Sequence, residues 1–255
     1  MAGDFAIRVE NLSYAYPGGP AALDGLSFEI SAGESVGLVG PNGAGKTTLF
    51  LCLSGVLNSA TGAMSVAGLD PGSRANLRAL PSKVGIVFQN SSDQLFNSTV
   101  LEDVTFGPLN LGLSRDEARK RAGEALARVS LVGFEDRVPF HLSCGEQRRA
   151  ALAGVLAMRP EVLLLDEPSA FLDPRGRREL VGLINDLPVT KIIAAHDLEL
   201  ILDTCQRALI LDQGRLVANG PARLLFADAA LMQTHGLEVP HSLTYHSRAE
   251  QHHKR

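Results

Sequence analysis

The chain has 255 residues, 45% of them apolar and 20% charged, and a formal net charge of −4. That length allows one large domain with an ample core, and the slight acidity argues against a nucleic-acid surface, since no basic stripe stands out beyond residues 175–178. Three scattered cysteines, Cys52, Cys144 and Cys205, lack C-x-x-C spacing, which excludes a disulfide framework or zinc site and suits a reducing cytoplasm. No stretch reaches the ~18 consecutive apolar residues of a membrane span and no secretory leader is visible, so the protein is expected to be soluble or peripheral.

Residues 5–16 and 26–30 alternate apolar and polar side chains on either side of Pro17-Gly18-Gly19-Pro20, which predicts an antiparallel arrangement, joined by residues 63–67. Residues 34–39 read as a short apolar strand, and residues 47–57 as an amphipathic helix. The turn between them is Gly40-Pro41-Asn42-Gly43-Ala44-Gly45-Lys46-Thr47-Thr48, a full match to G-x-x-x-x-G-K-[ST] in the strand-to-helix setting that the motif needs. Residues 83–89 form a buried strand ending at Gln89. The pattern then turns helical to about Arg159, with Ser114 and Glu117 fitting a capping box before residues 118–129. Residues 162–165 are a continuous apolar run delivering Asp166-Glu167-Pro168, Pro174 opens a helix, residues 190–195 form a strand ending at His196, and residues 207–211 and 215–218 form a hairpin. Strand and helix alternate, no internal repeat is visible, and the fold class is α/β.

The chemistry follows from the strand ends. Glycines at 40, 43 and 45 let backbone N–H groups turn inward onto phosphate, and the following helix adds its positive end. Lys46 neutralises the outer phosphates and the Thr47 hydroxyl ligates magnesium. A ligand-free glycine turn is a poor alternative, because a Lys-Thr pair at a helix start is unfavourable without an anion. Asp166 can hold a magnesium-bound water, Glu167 can polarise the attacking water as general base, and Gln89 can contact both. His196 can donate to a γ-phosphate. A glutamine or histidine at a strand end is unremarkable alone; here all four positions fall at carboxyl ends of strands in one sheet, where a ligand binds. Leu142-Ser143-Cys144-Gly145-Glu146-Gln147, ahead of helix formers, offers a second anion-binding helix end, explained most simply if it serves a nucleotide held by another copy.

The ordered set of residues 40–48, Gln89, 142–147, 162–167, 169–173 and His196 resembles the ATP-binding subunit of an ABC transporter, over about residues 5–226. The resemblance implies a P-loop NTPase core with a mainly parallel sheet, an N-terminal antiparallel β-subdomain and an inserted helical signature subdomain at about residues 90–159. It implies that Tyr16 stacks on adenine, that Gly40 to Thr48 bind Mg-ATP, and that Ser143, Gly145 and Glu146 close over the γ-phosphate bound by the opposite subunit. Asp173 then belongs to a loop that communicates between two sites in a dimer of identical or related chains.

Tyr14-Ala-Tyr-Pro-Gly18, residues 87–96, Val104-Thr-Phe-Gly-Pro108 and residues 151–158 further resemble energy-coupling factor ATPases of the cobalt and nickel type. That implies a peripheral place on the cytoplasmic face of the membrane, with a transmembrane coupling subunit docking in a groove near Asp93, Gln94 and Phe96, and a substrate-binding membrane subunit. A vitamin importer is the alternative. A soluble ABC-type ATPase of DNA repair or translation is disfavoured by the lack of a coiled-coil insertion or second ATPase domain, and a small P-loop kinase by the signature.

Two departures stand out. Cys144 replaces the first glycine of the usual Leu-Ser-Gly-Gly-Gln signature, with Glu146 at its last position, and a β-carbon close to phosphate is expected to reduce hydrolysis. Phe171 stands where the subfamily more often has glycine. Residues 227–255 form a tail with five of the seven histidines, His235, His241, His246, His252 and His253, open to a metal-handling reading or to that of a frayed terminus.

Overall fold

The computed structural model describes residues 5–58 and 60–244. β1 (Phe5–Ala15) and β2 (Ala21–Ser31) pair antiparallel around the predicted turn, setting Val9 opposite Phe28 and Tyr14 opposite Leu23. β3 (Ser35–Val39) runs into the phosphate loop and α1 (Lys46–Leu53), and β4 (Thr61–Val66) returns to the other edge of β1, giving a three-stranded sheet in the order β2-β1-β4. α2 (Leu80–Lys83) leads into β5 (Val84–Val87), after which come α3 (Val100–Asn110), α4 (Arg115–Arg128) and α5 (Cys144–Ala157).

The chain then alternates β6 (Val162–Asp166), α6 (Pro174–Asp186), β7 (Thr190–Ala194), α7 (Leu198–Thr204) and β8 (Arg207–Asp212). It closes with β9 (Arg215–Pro221), α8 (Ala222–Ala227) and α9 (Ala229–Thr234). A six-stranded sheet in the order β5-β6-β7-β3-β8-β9 is parallel throughout except for the β8-β9 hairpin. Its parallel strands are largely buried on both faces, which is why they read as apolar runs rather than alternating ones.

Successive residues along those strands divide between two cores. Leu164, Ile192 and Leu209 face α1 and the antiparallel sheet, whereas Leu163, Leu165, Ile193 and Ile210 face the helices from α3 onward. Arg207, at the start of β8, clamps the two sheets together: its guanidinium donates to both carboxylate oxygens of Glu34, at 2.7 and 3.0 Å, and to the Glu29 carbonyl at 2.7 Å. A two-pronged Arg–carboxylate contact of this kind fixes direction as well as distance.

The structure corrects three sequence expectations. The helix after the phosphate loop ends at Leu53 and is not amphipathic: Lys46, Thr48, Leu49, Phe50, Cys52 and Leu53 are all buried, because α1 lies between the two sheets and has no solvent stripe. The capping box at Ser114 is only half made, since Glu117 turns to Arg121 instead of back to the cap; complete boxes stand at Thr99/Glu102 and Ser143/Glu146. Nor are residues 227–244 frayed. Met232 is buried, Leu237, Val239 and Leu243 pack on the larger core, His235 Nδ1 pairs with Asp212 Oδ2 at 2.9 Å, and Ser242 binds both carboxylate oxygens of Glu199. His246, His252 and His253 lie outside the described residues. Among the described residues no cluster of three or more His, Cys, Asp or Glu is arranged to hold a metal.

Candidate active site

The carboxyl ends of β3, β6 and β7 lie side by side in the sheet, so the segments that follow them share one rim. A cleft of about 370 Å³ opens there, lined by Tyr16, residues 42–48, Gln89, Asp166, Glu167 and His196. The structure thus brings together every residue expected around one nucleotide within a single chain, apart from Gly40 and Pro41, which form the root of the loop. The loop is held tightly from behind. At Gly40, with φ +154°, a β-carbon would come within 2.1 Å of the Leu211 carbonyl; at Gly45, with φ +104°, it would meet the Ala22 carbonyl at 2.6 Å.

Charges in the cleft hold one another. Lys46 Nζ donates to the Gly40 and Pro41 carbonyls, at 2.7 and 3.2 Å, so the ammonium lies over the loop. Burial pulls its pKa down, and the nearby Glu167 and Asp166 carboxylates oppose that fall. The Thr47 hydroxyl donates to Asp166 Oδ2 at 2.9 Å. Burial raises the Asp166 carboxyl above the usual range against this hydrogen bond and the charges of Lys46 and His196. Glu167 is raised as well, by burial first and also by Asp166, with the His196 N–H and the cationic groups pulling the other way.

Two buried carboxylates beside a phosphate cradle call for added positive charge. A divalent cation of the magnesium type fits this corner, since the Thr47 hydroxyl, the Asp166 carboxylate and the Gln89 amide are hard oxygen donors on one cleft wall and bound phosphate can complete the shell. Glu167 Oε1 is buried and has no hydrogen-bond partner among the described residues. Its neighbour on the cleft side is His196 Nε2, at 3.5 Å. Tyr16 lines the cleft, is 43% exposed, has its hydroxyl 3.3 Å from Thr48 Oγ1 and meets the Tyr14 ring edge-on.

The chain matches the family described as ABC transporter over residues 23–170. It is 52% identical over 237 residues to a Gloeobacter violaceus protein named as an ABC transporter ATP-binding protein, covering 92% of this chain and 97% of that one. It is 45% identical over 239 residues to the energy-coupling factor transporter ATP-binding protein EcfA of Methanothermobacter thermautotrophicus, over 92% of this chain and 76% of that one. Among solved structures, cbiO1 from Clostridium perfringens, part of the ABC transporter complex cbiONQ, superposes with a TM-score of 0.80 at 37% identity, over 91% of this chain and 94% of that one. The chain belongs to the ABC transporter ATP-binding family. Within it, the protein stands close to the EcfA and CbiO energy-coupling factor ATPases, and it is an ABC ATPase.

The signature residues of this ABC ATPase, Ser143, Gly145 and Glu146, do not line the cleft. They form the N-terminus of α5, where Ser143 caps the helix and its N–H and hydroxyl both donate to Glu146 Oε2, at 2.8 and 2.7 Å. These bonds hold the Glu146 carboxyl below its ordinary range. Cys144 is exposed at the first position of the helix. Phe171 is 79% exposed with φ +63°, a left-handed conformation that costs a side-chain-bearing residue roughly 1–2 kcal/mol and that glycine adopts freely.

Sequence reasoning missed Arg148. It is 4% exposed, and its guanidinium donates to the carbonyls of Glu167 and Gln89, each at 2.7 Å, and of Ala170 at 3.4 Å. The available signal was periodicity: Arg148, Leu152 and Val155 share the buried face of α5, a place where a cation needs a reason.

Proposed function

We infer that the chain is the ATP-hydrolysing subunit of an energy-coupling factor importer, working as a dimer and taking up a transition-metal ion such as cobalt or nickel. The observation that carries the ATPase chemistry is the single cleft that gathers Lys46, Thr47, Gln89, Asp166, Glu167 and His196 behind a half-exposed Tyr16. Tyr16 stacks on adenine, and the N–H groups of the 40–48 loop and Lys46 hold the phosphates. Thr47, Gln89 and Asp166 would hold magnesium, which would neutralise phosphate charge there. Glu167 takes the proton of the attacking water at its open Oε1, and His196 steadies the γ-phosphate as the bond to the leaving oxygen breaks.

The dimer reading is supported by the location of Ser143, Gly145 and Glu146 outside the cleft, since a second chain can present them to a nucleotide that its partner holds. A transmembrane coupling subunit has a fitting receptor in a mainly apolar groove of about 500 Å³, lined by Asp93, Gln94, Phe96, Phe106 and Met158 among others. Phe96 and Phe106 pack edge-on there while remaining 60% and 47% exposed. No helix of the described residues is long and apolar enough to cross a membrane, so membrane attachment falls to that partner and to a substrate-binding membrane subunit.

The test is co-expression with the membrane subunits of an energy-coupling factor importer. The intact complex is expected to copurify, to hydrolyse Mg-ATP and to drive cellular uptake of radiolabelled cobalt or nickel. Uptake of a vitamin in place of metal assigns the alternative substrate class, and copurification with ribosomes or DNA instead of membrane proteins overturns the transport reading.

A further inference from the structure

Arg148 is buried inside α5 and has no ion pair among the described residues; its hydrogen-bond acceptors are three backbone carbonyls. Burying a cation costs several kcal/mol unless it is well satisfied, and neutral carbonyls compensate less than a carboxylate does. A residue chosen only for stability at this position would be apolar, like its helix-face neighbours Leu152 and Val155. What distinguishes the arrangement is where those carbonyls stand. Gln89 follows β5, and Glu167 and Ala170 follow β6, so the carbonyls come from two segments that leave the rim of the sheet, 59, 19 and 22 residues from Arg148 in sequence.

Glu167 gives the contact a mechanical meaning. Its φ is +47°, a left-handed conformation that a glutamate does not hold without support. Its N–H donates to the Ala194 carbonyl at 2.8 Å on one side, and its carbonyl accepts from Arg148 Nη1 on the other. Through the second arm of the same planar guanidinium, the Gln89 backbone is fixed relative to Glu167. α5 meanwhile contributes Ala150, Ala151, Gly154, Val155 and Met158's neighbouring wall to the apolar groove, and begins at the Ser143 cap.

We propose that Arg148 is a positioning residue that clasps the Gln89, Glu167 and Ala170 backbones beside α5 and so holds the water-activating carboxylate in place. Loosening the clasp lets Glu167 relax from its left-handed geometry and drift from the attacking water, while the phosphate loop, which Arg148 does not touch, still binds nucleotide. The proposal rests on the ATP-hydrolysis reading of the cleft.

The experiment compares full-length wild type, Arg148→Lys, Glu167→Gln and the double variant by steady-state ATP hydrolysis, with thermal unfolding of each. Lysine keeps the charge but cannot span two carbonyls with a rigid fork. Arg148→Lys is expected to lower kcat by about tenfold or more, leave KM for ATP within about threefold, and add little to the loss in the Glu167→Gln background, where the carboxylate it positions is already gone. A kcat within about twofold of wild type, or losses that multiply fully when Arg148→Lys is combined with Glu167→Gln, overturns the proposal. If Arg148→Lys loses its cooperative unfolding transition, Arg148→Gln is judged by the same thresholds together with amide hydrogen exchange. Faster exchange in residues 166–171 than in residues 36–50 supports the clasp, and equal acceleration in both overturns it. Wild type that hydrolyses no ATP, or a Glu167→Gln variant of undiminished rate, overturns the functional reading instead.

Discussion

Glu167 and His196 meet across neighbouring strands: the His196 N–H donates to Glu167 Oε2 at 3.2 Å, and His196 Nε2 stands 3.5 Å from Oε1. One carboxylate oxygen is therefore fixed by backbone, while the other stays open beside the imidazole. Glutamine can keep the first contact but cannot accept a proton. Glu167→Gln is expected to bind ATP, to accumulate as a dimer detectable by gel filtration, and to hydrolyse roughly 10²- to 10⁴-fold more slowly. Wild-type turnover in that variant would remove Glu167 from its role.

The same residue sets a pH dependence of stability. Burial raises the folded-state carboxyl pKa above the ordinary glutamate value, so between those two values the native state binds the proton more tightly than the unfolded chain does. Stability from this group is present below the ordinary value and is lost as pH rises through the window up to the raised one. Nucleotide-free Glu167→Gln, which has nothing to ionise, is expected to show a higher Tm than wild type at neutral pH and no such advantage once pH falls below the ordinary glutamate range. Calorimetric scans across that range check the sign; a difference independent of pH counts against it.

Cys144 differs from the other two thiols. Cys52 and Cys205 are buried, and burial pushes their pKa values up to about 11 and about 12, so neither presents a thiolate at neutral pH. Iodoacetamide on the native chain is expected to label Cys144 alone, read by mass spectrometry. Because this side chain stands at the α5 end assigned to the partner's γ-phosphate, Cys144→Gly is expected to raise ATPase of the assembled transporter several-fold, and an unchanged rate refutes the idea that the β-carbon hinders closure.

Gly45→Ala strains the loop twice over, through its φ of +104° and through a β-carbon 2.6 Å from the Ala22 carbonyl. Since the obstacle is backbone, the loop must move. A loss of about 1–3 kcal/mol in denaturant unfolding and weakened ATP binding are expected. Retention of both at wild-type levels shows that the loop tolerates the shift.

The N-terminal box of α5 gives a separate measure of helix stability. Ser143→Ala removes the hydroxyl that accepts from Glu146 N–H and frees the Glu146 carboxylate from one of its two donors. A cost of about 0.5–2 kcal/mol is expected from chemical denaturation of the nucleotide-free chain, well apart from any loss in ATPase.

The site was legible in the sequence wherever function depends on local geometry. Residues 40–48 follow a strand and precede a helix, so the glycine spacing alone predicts inward N–H groups; Asp166, Glu167 and His196 follow apolar runs, and parallel strands deliver such ends to one rim. The failures share another cause. α1 looked amphipathic because its polar residues were taken as a solvent face, whereas Lys46 and Thr48 turn into a buried cleft and the remaining sides meet two sheets. Glu117 fitted a capping box by spacing, yet Arg121 one turn later takes its carboxylate. Residues 227–244 carry too few apolar positions to predict a packed unit, but each lands on a core that other elements have already built.

By itself the sequence determined the strand ends, the phosphate cradle and the carboxylates of this ABC ATPase, because turn chemistry and hydrophobic period act over a few neighbouring residues. Only the tertiary structure decided that Arg148 reaches Gln89, Glu167 and Ala170, that Glu167 holds a left-handed backbone with one oxygen open, and that the signature end lies outside the cleft it resembles in kind. Those relations join segments far apart in the chain, and a buried guanidinium finds its carbonyls only after the sheet and α5 have packed.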